Sequence, residues 1–141
     1  MIVRTLDEIR NTKNDVKDEN WVSRRILLRK DGMGFSLHDT VIKKGTETYI
    51  WYQNHLEACF CIEGEGEIEV LDDEGNKNGE IYPIKPGTLY ALNNHEKHLL
   101  RAATADMRLI CVFNPAVTGD EVHDENGTYP LLEDEDCTRV K

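Results

Sequence analysis

No apolar run in the chain approaches the ~18–20 residues that a bilayer-crossing helix needs. Cationic side chains are scarce too: 17 Lys and Arg stand against 27 Asp and Glu, for a formal net charge of −10. Nucleic acid and anionic membrane both repel such a polyanion, so neither is an expected partner. The opening residues Met1-Ile-Val-Arg-Thr-Leu-Asp-Glu-Ile lack the cationic and apolar stretches of a secretory signal. A cytoplasmic location is the expectation. There is no C-x-x-C pair, no internal repeat and no βαβ alternation, which excludes a zinc-ribbon framework, a solenoid and a doubly wound sheet. The four cysteines read as three buried thiols inside apolar runs, Cys59, Cys61 and Cys111, and one thiol in an acidic tail, Cys137.

What remains is the pattern of a single β domain of 141 residues, 39% of them apolar. Residues 1–24 read as a peripheral arm with one helical turn at Leu6–Arg10 and a polar loop after it. From Trp21 the pattern turns to strand. Phe35-Ser-Leu-His-Asp-Thr-Val-Ile and Glu67-Ile-Glu-Val-Leu alternate, and Thr46-Glu-Thr-Tyr-Ile-Trp-Tyr-Gln is rich in residues that suit a pleated surface. A hairpin is expected at Gly64-Glu-Gly66, a loop over residues 71–79 and turns at Pro86-Gly87 and Asn93–Glu96. After Asn114-Pro115 periodicity is lost. Short strands separated by turn signals predict an all-β jelly-roll barrel over 25–114, with short peripheral helical turns, a C-terminal loop over 115–132 and an acidic tail over 133–141.

Three clusters carry candidate chemistry. His55 and Glu57 lie two residues apart, so on a strand they share a face, as an imidazole–carboxylate start to a divalent metal site or as a solvated pair. Tyr90, His95 and His98 fall in one strand–corner–strand unit, where Tyr90 and His98 would sit opposite each other across a hairpin. His95, among polar neighbours, reads as a solvated corner residue. Glu121 and His123 repeat the two-residue spacing in the C-terminal loop, and a solvated acidic loop is the alternative. Arg25 precedes apolar Ile26-Leu-Leu; if it points inward it needs an anionic partner, such as a substrate carboxylate. Trp21, Tyr52 and Phe113 are aromatics for a pocket wall or for plain core.

A strand pair of metal-ligand type before Gly-x-Gly, followed by Pro-Gly leading to a histidine, resembles the cupin superfamily, with H-x-E here in place of the usual H-x-H. A closer resemblance runs along nearly the whole chain. Trp21-Val-Ser-Arg-Arg-Ile-Leu-Leu, Asn54-His-Leu-Glu-Ala, Ile62-Glu-Gly-Glu-Gly-Glu-Ile-Glu, Tyr82-Pro-Ile-Lys-Pro-Gly-Thr-Leu-Tyr-Ala-Leu, His95-Glu-Lys-His, Cys111-Val-Phe-Asn-Pro and Gly119-Asp-Glu-Val-His-Asp-Glu-Asn-Gly-Thr-Tyr-Pro-Leu are similar to blocks of the ectoine synthase family. The departures are a longer loop over 71–79 and the acidic tail.

That resemblance implies a homodimeric, Fe(2+)-dependent hydro-lyase that cyclises N-gamma-acetyl-L-2,4-diaminobutyrate to the osmolyte ectoine with loss of water. Carried over residue by residue, it implies metal ligands at Glu57, Tyr90 and His98. Substrate contacts are implied at Trp21, Arg25, Thr40, Tyr52, Phe113, Glu121 and His123. His55, Tyr52, Glu121 and His123 are the catalytic candidates, with the general base left open among His55, Glu121 and His123. Two other classes fit parts of the pattern. An iron cupin dioxygenase or isomerase lacks its second histidine here, and a non-catalytic ligand-binding cupin module leaves the whole-chain match unexplained.

Overall fold

A computed structural model describes residues 1–132, and Cys137 with its acidic tail lies outside the described residues. The described residues form ten strands: β1 (Asp15–Lys17), β2 (Trp21–Leu27), β3 (Ser36–Ile42), β4 (Thr46–Ile50), β5 (Leu56–Glu63), β6 (Gly66–Leu71), β7 (Lys77–Ile84), β8 (Leu89–Leu92), β9 (His98–Ala102) and β10 (Met107–Asn114). One six-stranded sheet has the order β1-β2-β3-β10-β5-β8, and a four-stranded sheet has the order β4-β9-β6-β7. All pairings are antiparallel. Alternation along the strands gives each sheet one buried face, as in Met107, Leu109, Cys111 and Phe113 of β10. The two inner faces enclose one core. The only α-helix among the described residues is Leu6–Ile9, held by a capping box in which Thr5 and Glu8 satisfy each other's backbone N–H groups. No helix is long and apolar enough to cross a membrane.

Four details differ from the sequence reading, each for a local reason. The boundary expected at residue 24 falls inside β2, and the polar stretch before it adds β1, which pairs Val16 with Ser23. Gly64-Glu-Gly66 is no hairpin: β5 belongs to the large sheet and β6 to the small one, so the chain crosses between sheets there. Glycine is required at both ends of that crossing. A Cβ on Gly64 would lie 2.2 Å from the Asp106 carbonyl oxygen, and one on Gly66 would lie 2.0 Å from that of Arg101. The loop expected over 71–79 spans only residues 72–76, because β7 begins at Lys77. β7 carries Gly79 and Pro83, which read as breakers, but it is the edge of the small sheet, where a missing N–H costs no ladder bond. Finally, β8 and β9 lie in different sheets, so Tyr90 and His98 are not hairpin partners.

Candidate active site

The register of the large sheet lines up one row of side chains across five strands. Arg25 of β2 pairs with His38 of β3, His38 with Cys111 of β10, Cys111 with Cys59 of β5, and Cys59 with Tyr90 of β8. All five positions face inward. A neighbouring row brings Phe113 beside Glu57. The cavity against this wall has about 30 Å³ of free space, room for about two waters. Trp21, Thr40, Tyr52, Glu57, Tyr90, Phe113 and His123 line it, all of them sequence candidates. The lining also includes Cys111, read from the sequence as a core thiol, and His38 and Tyr129, which the sequence reading had not singled out.

Burial sets the protonation states. Glu57 is buried, and desolvation raises its carboxyl to about 7 although the Cys59 and Cys111 thiols hydrogen-bond it and pull the other way. Among the described residues it joins no ion pair. Burial likewise lifts the Tyr90 and Tyr52 phenols well above their ordinary value. His98 enters from the small sheet at 0% exposure. Its Nδ1–H donates to the Glu96 carbonyl at 3.0 Å, and its Nε2 is buried with no hydrogen-bond partner. Desolvation lowers its titration to about 4, so the imidazole is neutral with a free lone pair. Among the described residues the closest set of carboxylate, thiol and imidazole donors is Glu57, Cys59 and Cys111, all within 4.8 Å of one another.

The C-terminal loop closes the other end. It forms no strand, yet Val117, Thr118, Gly127, Thr128 and Tyr129 are buried, and a turn closed between Asp124 and Thr128 orders it locally. Tyr52 hydrogen-bonds His123 Nε2 at 2.8 Å, and burial brings the His123 imidazole down to about 4. The Tyr129 ring packs 4.9 Å from both the Tyr52 and His123 rings.

Four of the implied site residues do not line the cavity: His98, which comes from the small sheet, and Arg25, Glu121 and His55, which pack behind the lining. Arg25 points inward and is wholly buried, but it spends donors on Ser23 Oγ, the Gly119 carbonyl and the Tyr129 hydroxyl. Glu121 lies 4.0 Å from it and accepts from the Thr118 N–H, the Thr118 hydroxyl and the Gly119 N–H. A carboxylate so occupied fixes the loop. His55 is buried edge-on to Phe113 and Tyr129, with neither ring nitrogen partnered and its titration lowered by desolvation. His95 is exposed, as expected at a corner, with a left-handed backbone and its Nδ1–H donated to the Tyr52 carbonyl.

The "Ectoine synthase" family model matches residues 1–133. The chain belongs to the ectoine synthase family. The L-ectoine synthase of Halalkalibacterium halodurans is 61% identical over 135 residues, covering 96% of this chain and all of that protein. The crystal structure of ectoine synthase from P. lautus superimposes with a TM-score of 0.81 at 64% identity, covering 94% of this chain and 91% of that one. KdgF from a Halomonas species shares the fold alone, with a TM-score of 0.57 at 17% identity. The cupin barrel and the synthase activity read from the sequence therefore stand, and the chain is a hydro-lyase of this family.

Two buried groups of this ectoine synthase family barrel escaped the sequence reading. His38 is neutral, held between the Ser23 and Ser36 hydroxyls and stacked 4.8 Å from Phe113. Its signal was present in the alternation Ser36-Leu-His38, which puts both residues on the inner face. Tyr129 lies in a segment with no periodicity, so no pattern marked it.

Proposed function

We propose that this barrel closes N-gamma-acetyl-L-2,4-diaminobutyrate into ectoine with loss of water, on a ferrous ion held by Glu57, Tyr90 and His98. The observation that carries the reading is His98: a buried imidazole with its Nδ1–H pinned to a carbonyl and its Nε2 left without a partner is in the state of a metal ligand. Glu57, a buried carboxylate with no cationic partner, fits the same group. Bound there, the metal supplies Lewis-acid polarisation of an amide oxygen.

The chain's own residues do the rest. Trp21, Thr40 and Phe113 shape a narrow cavity that holds the flexible substrate bent on itself and keeps bulk water from a dehydration. The carboxylate end is drawn toward the end of the cavity backed by the Arg25 charge. The substrate α-ammonium must lose a proton before its nitrogen attacks the acetyl-amide carbon. The neutral His123 imidazole takes that proton, and the Tyr52 hydroxyl bonded to it relays a proton to the departing hydroxyl. Glu121 and Arg25 set the loop that carries His123.

Residues 115–132, which bring His123 and Tyr129 onto the lining, act as a lid over the cavity. The protein works as a homodimer in the cytoplasm. The outer face near the β8 edge exposes Leu56, Phe60 and Leu89 at 36%, 46% and 62%, a surface suited to a second copy. The compartment keeps the Cys59, Cys61 and Cys111 thiols reduced. The test is anaerobic incubation of ferrous protein with the acetylated diamino acid, followed by mass spectrometry. An iron-dependent loss of one water is expected; unchanged substrate with folded, metal-loaded protein contradicts the proposal.

A further inference from the structure

The cross-strand pair at the centre of the large sheet places soft donors next to a hard one. Cys59 and Cys111 are direct partners of β5 and β10, with their sulfurs 3.2 Å apart. Glu57 precedes Cys59 by two residues and so shares its face, which brings its carboxylate within 4.8 Å of both sulfurs. Both cysteines and Glu57 are buried, at 0%, 2% and 8% exposure. Across the next strand pair, the register partner of Cys59 is Tyr90 of β8. Ligand atoms about 2.0–2.3 Å from one tetrahedral ion lie roughly 3.3–3.8 Å apart. The three donors are already at that spacing to within about an ångström. Two thiolates and one carboxylate favour zinc, cadmium or cuprous copper over a hard cation.

We propose that the barrel has a second, thiophilic metal-binding mode, in which a zinc-class dication is held by Glu57, Cys59 and Cys111. Each thiol releases its proton to solvent as its sulfur binds, as does the Glu57 carboxyl where it is protonated, and no electron moves. Glu57 belongs to this set and to the oxygen–nitrogen set with Tyr90 and His98, so the two modes exclude each other. A thiophilic ion therefore removes a ligand from the catalytic arrangement, and the cell's supply of such ions sets the active fraction. The thiophilic mode stands on Cys59, Cys111 and Glu57 alone and does not require the ferrous reading to be correct.

The test uses the full chain carrying Cys137→Ser, freed of metal and given one equivalent of cadmium chloride. X-ray absorption at the cadmium edge and the ultraviolet thiolate-to-cadmium charge-transfer band are read together. One ion per chain with two first-shell sulfurs is expected. The band should be lost or cut at least by half in Cys111→Ser and kept in Cys61→Ser and His98→Ala. A first shell of oxygen and nitrogen only, no binding, or a band that needs Cys61 and not Cys111 overturns the proposal. The sulfur count on the protein with its barrel cysteines intact decides the matter even if Cys111→Ser fails to fold.

Discussion

The two sheets bury faces of opposite character. The large sheet turns Arg25, His38, Glu57, Cys59, Tyr90 and Cys111 toward the interior, a wall of titratable groups. The buried inner positions of the small sheet include Ile50, Ile68, Ile84, Leu100 and Ala102, with His98 the titratable side chain among them. The small sheet's other charges, such as Glu69 under Arg101, sit on its outer side and pair there. One sheet thus gathers the titratable groups and the other lays a dry cover that raises the energetic weight of every charge opposite it. The shifts follow from that cover: Glu57 rises to about 7, while His98 and His123 fall to about 4, all mainly through desolvation.

Glu57→Gln breaks the comparison at its most reactive point. It keeps the side-chain shape and removes the charge, and turnover under ferrous anaerobic conditions should fall on the order of 10³-fold. A variant within tenfold of the parent would take the large-sheet wall out of the chemistry. Ile68→Ala probes the opposite face. Its denaturation midpoint should report a loss of about 2–5 kcal/mol, while turnover well below the transition stays near the parent value. A large drop in turnover at full stability would show that the apolar face does more than cover.

Tyr52→Phe removes one hydroxyl from the relay to His123. We expect kcat lower by about 100-fold with little change in KM, since the phenyl ring still fills its place. The smallest expected effect is on stability against pH. His123 titrates near 4 when folded and near 6.5 when unfolded, so the unfolded chain binds more protons between those values. Its neutral burial is without penalty above about pH 6.5, and stability is lost as pH falls from there toward 4. Urea unfolding of the metal-free protein at pH 7 and pH 5 should show this loss, and His123→Gln should reduce it by about 1–2 kcal/mol. An unchanged slope in the variant would place the histidine in solvent.

Strand positions were legible because one buried face per sheet writes a period of two into the residues, as in Glu67-Ile-Glu-Val-Leu. Strand partners were not. Gly64 and Gly66 carry the same signal for a tight hairpin and for a close crossing between sheets, and only the backbone of Asp106 and Arg101 distinguishes them. Edge strand β7 was hidden by Pro83 and Gly79, which are breakers in a central strand and harmless at an edge. In the site, H-x-E gave the shared face of His55 and Glu57, but the sheets then parted their surroundings: Glu57 lines the cavity and His55 stands behind Phe113. Cys59 and Cys111 lie far apart in sequence, so register alone joins them, and each by itself reads as a core thiol. Arg25 and Glu121 were foreseen as buried chemistry, and the structure shows their hydrogen bonds spent mainly on the loop.

In the proposed metal site His98 of the small sheet completes a ligand set whose other members come from the large one. Anaerobic calorimetric titration of ferrous iron into the parent protein and into His98→Ala tests this most directly. One site per chain in the parent, weakened at least tenfold in the variant at unchanged fold, is the predicted result. Equal affinities would contradict it, leaving His98 a buried neutral imidazole and confining the metal to the large sheet.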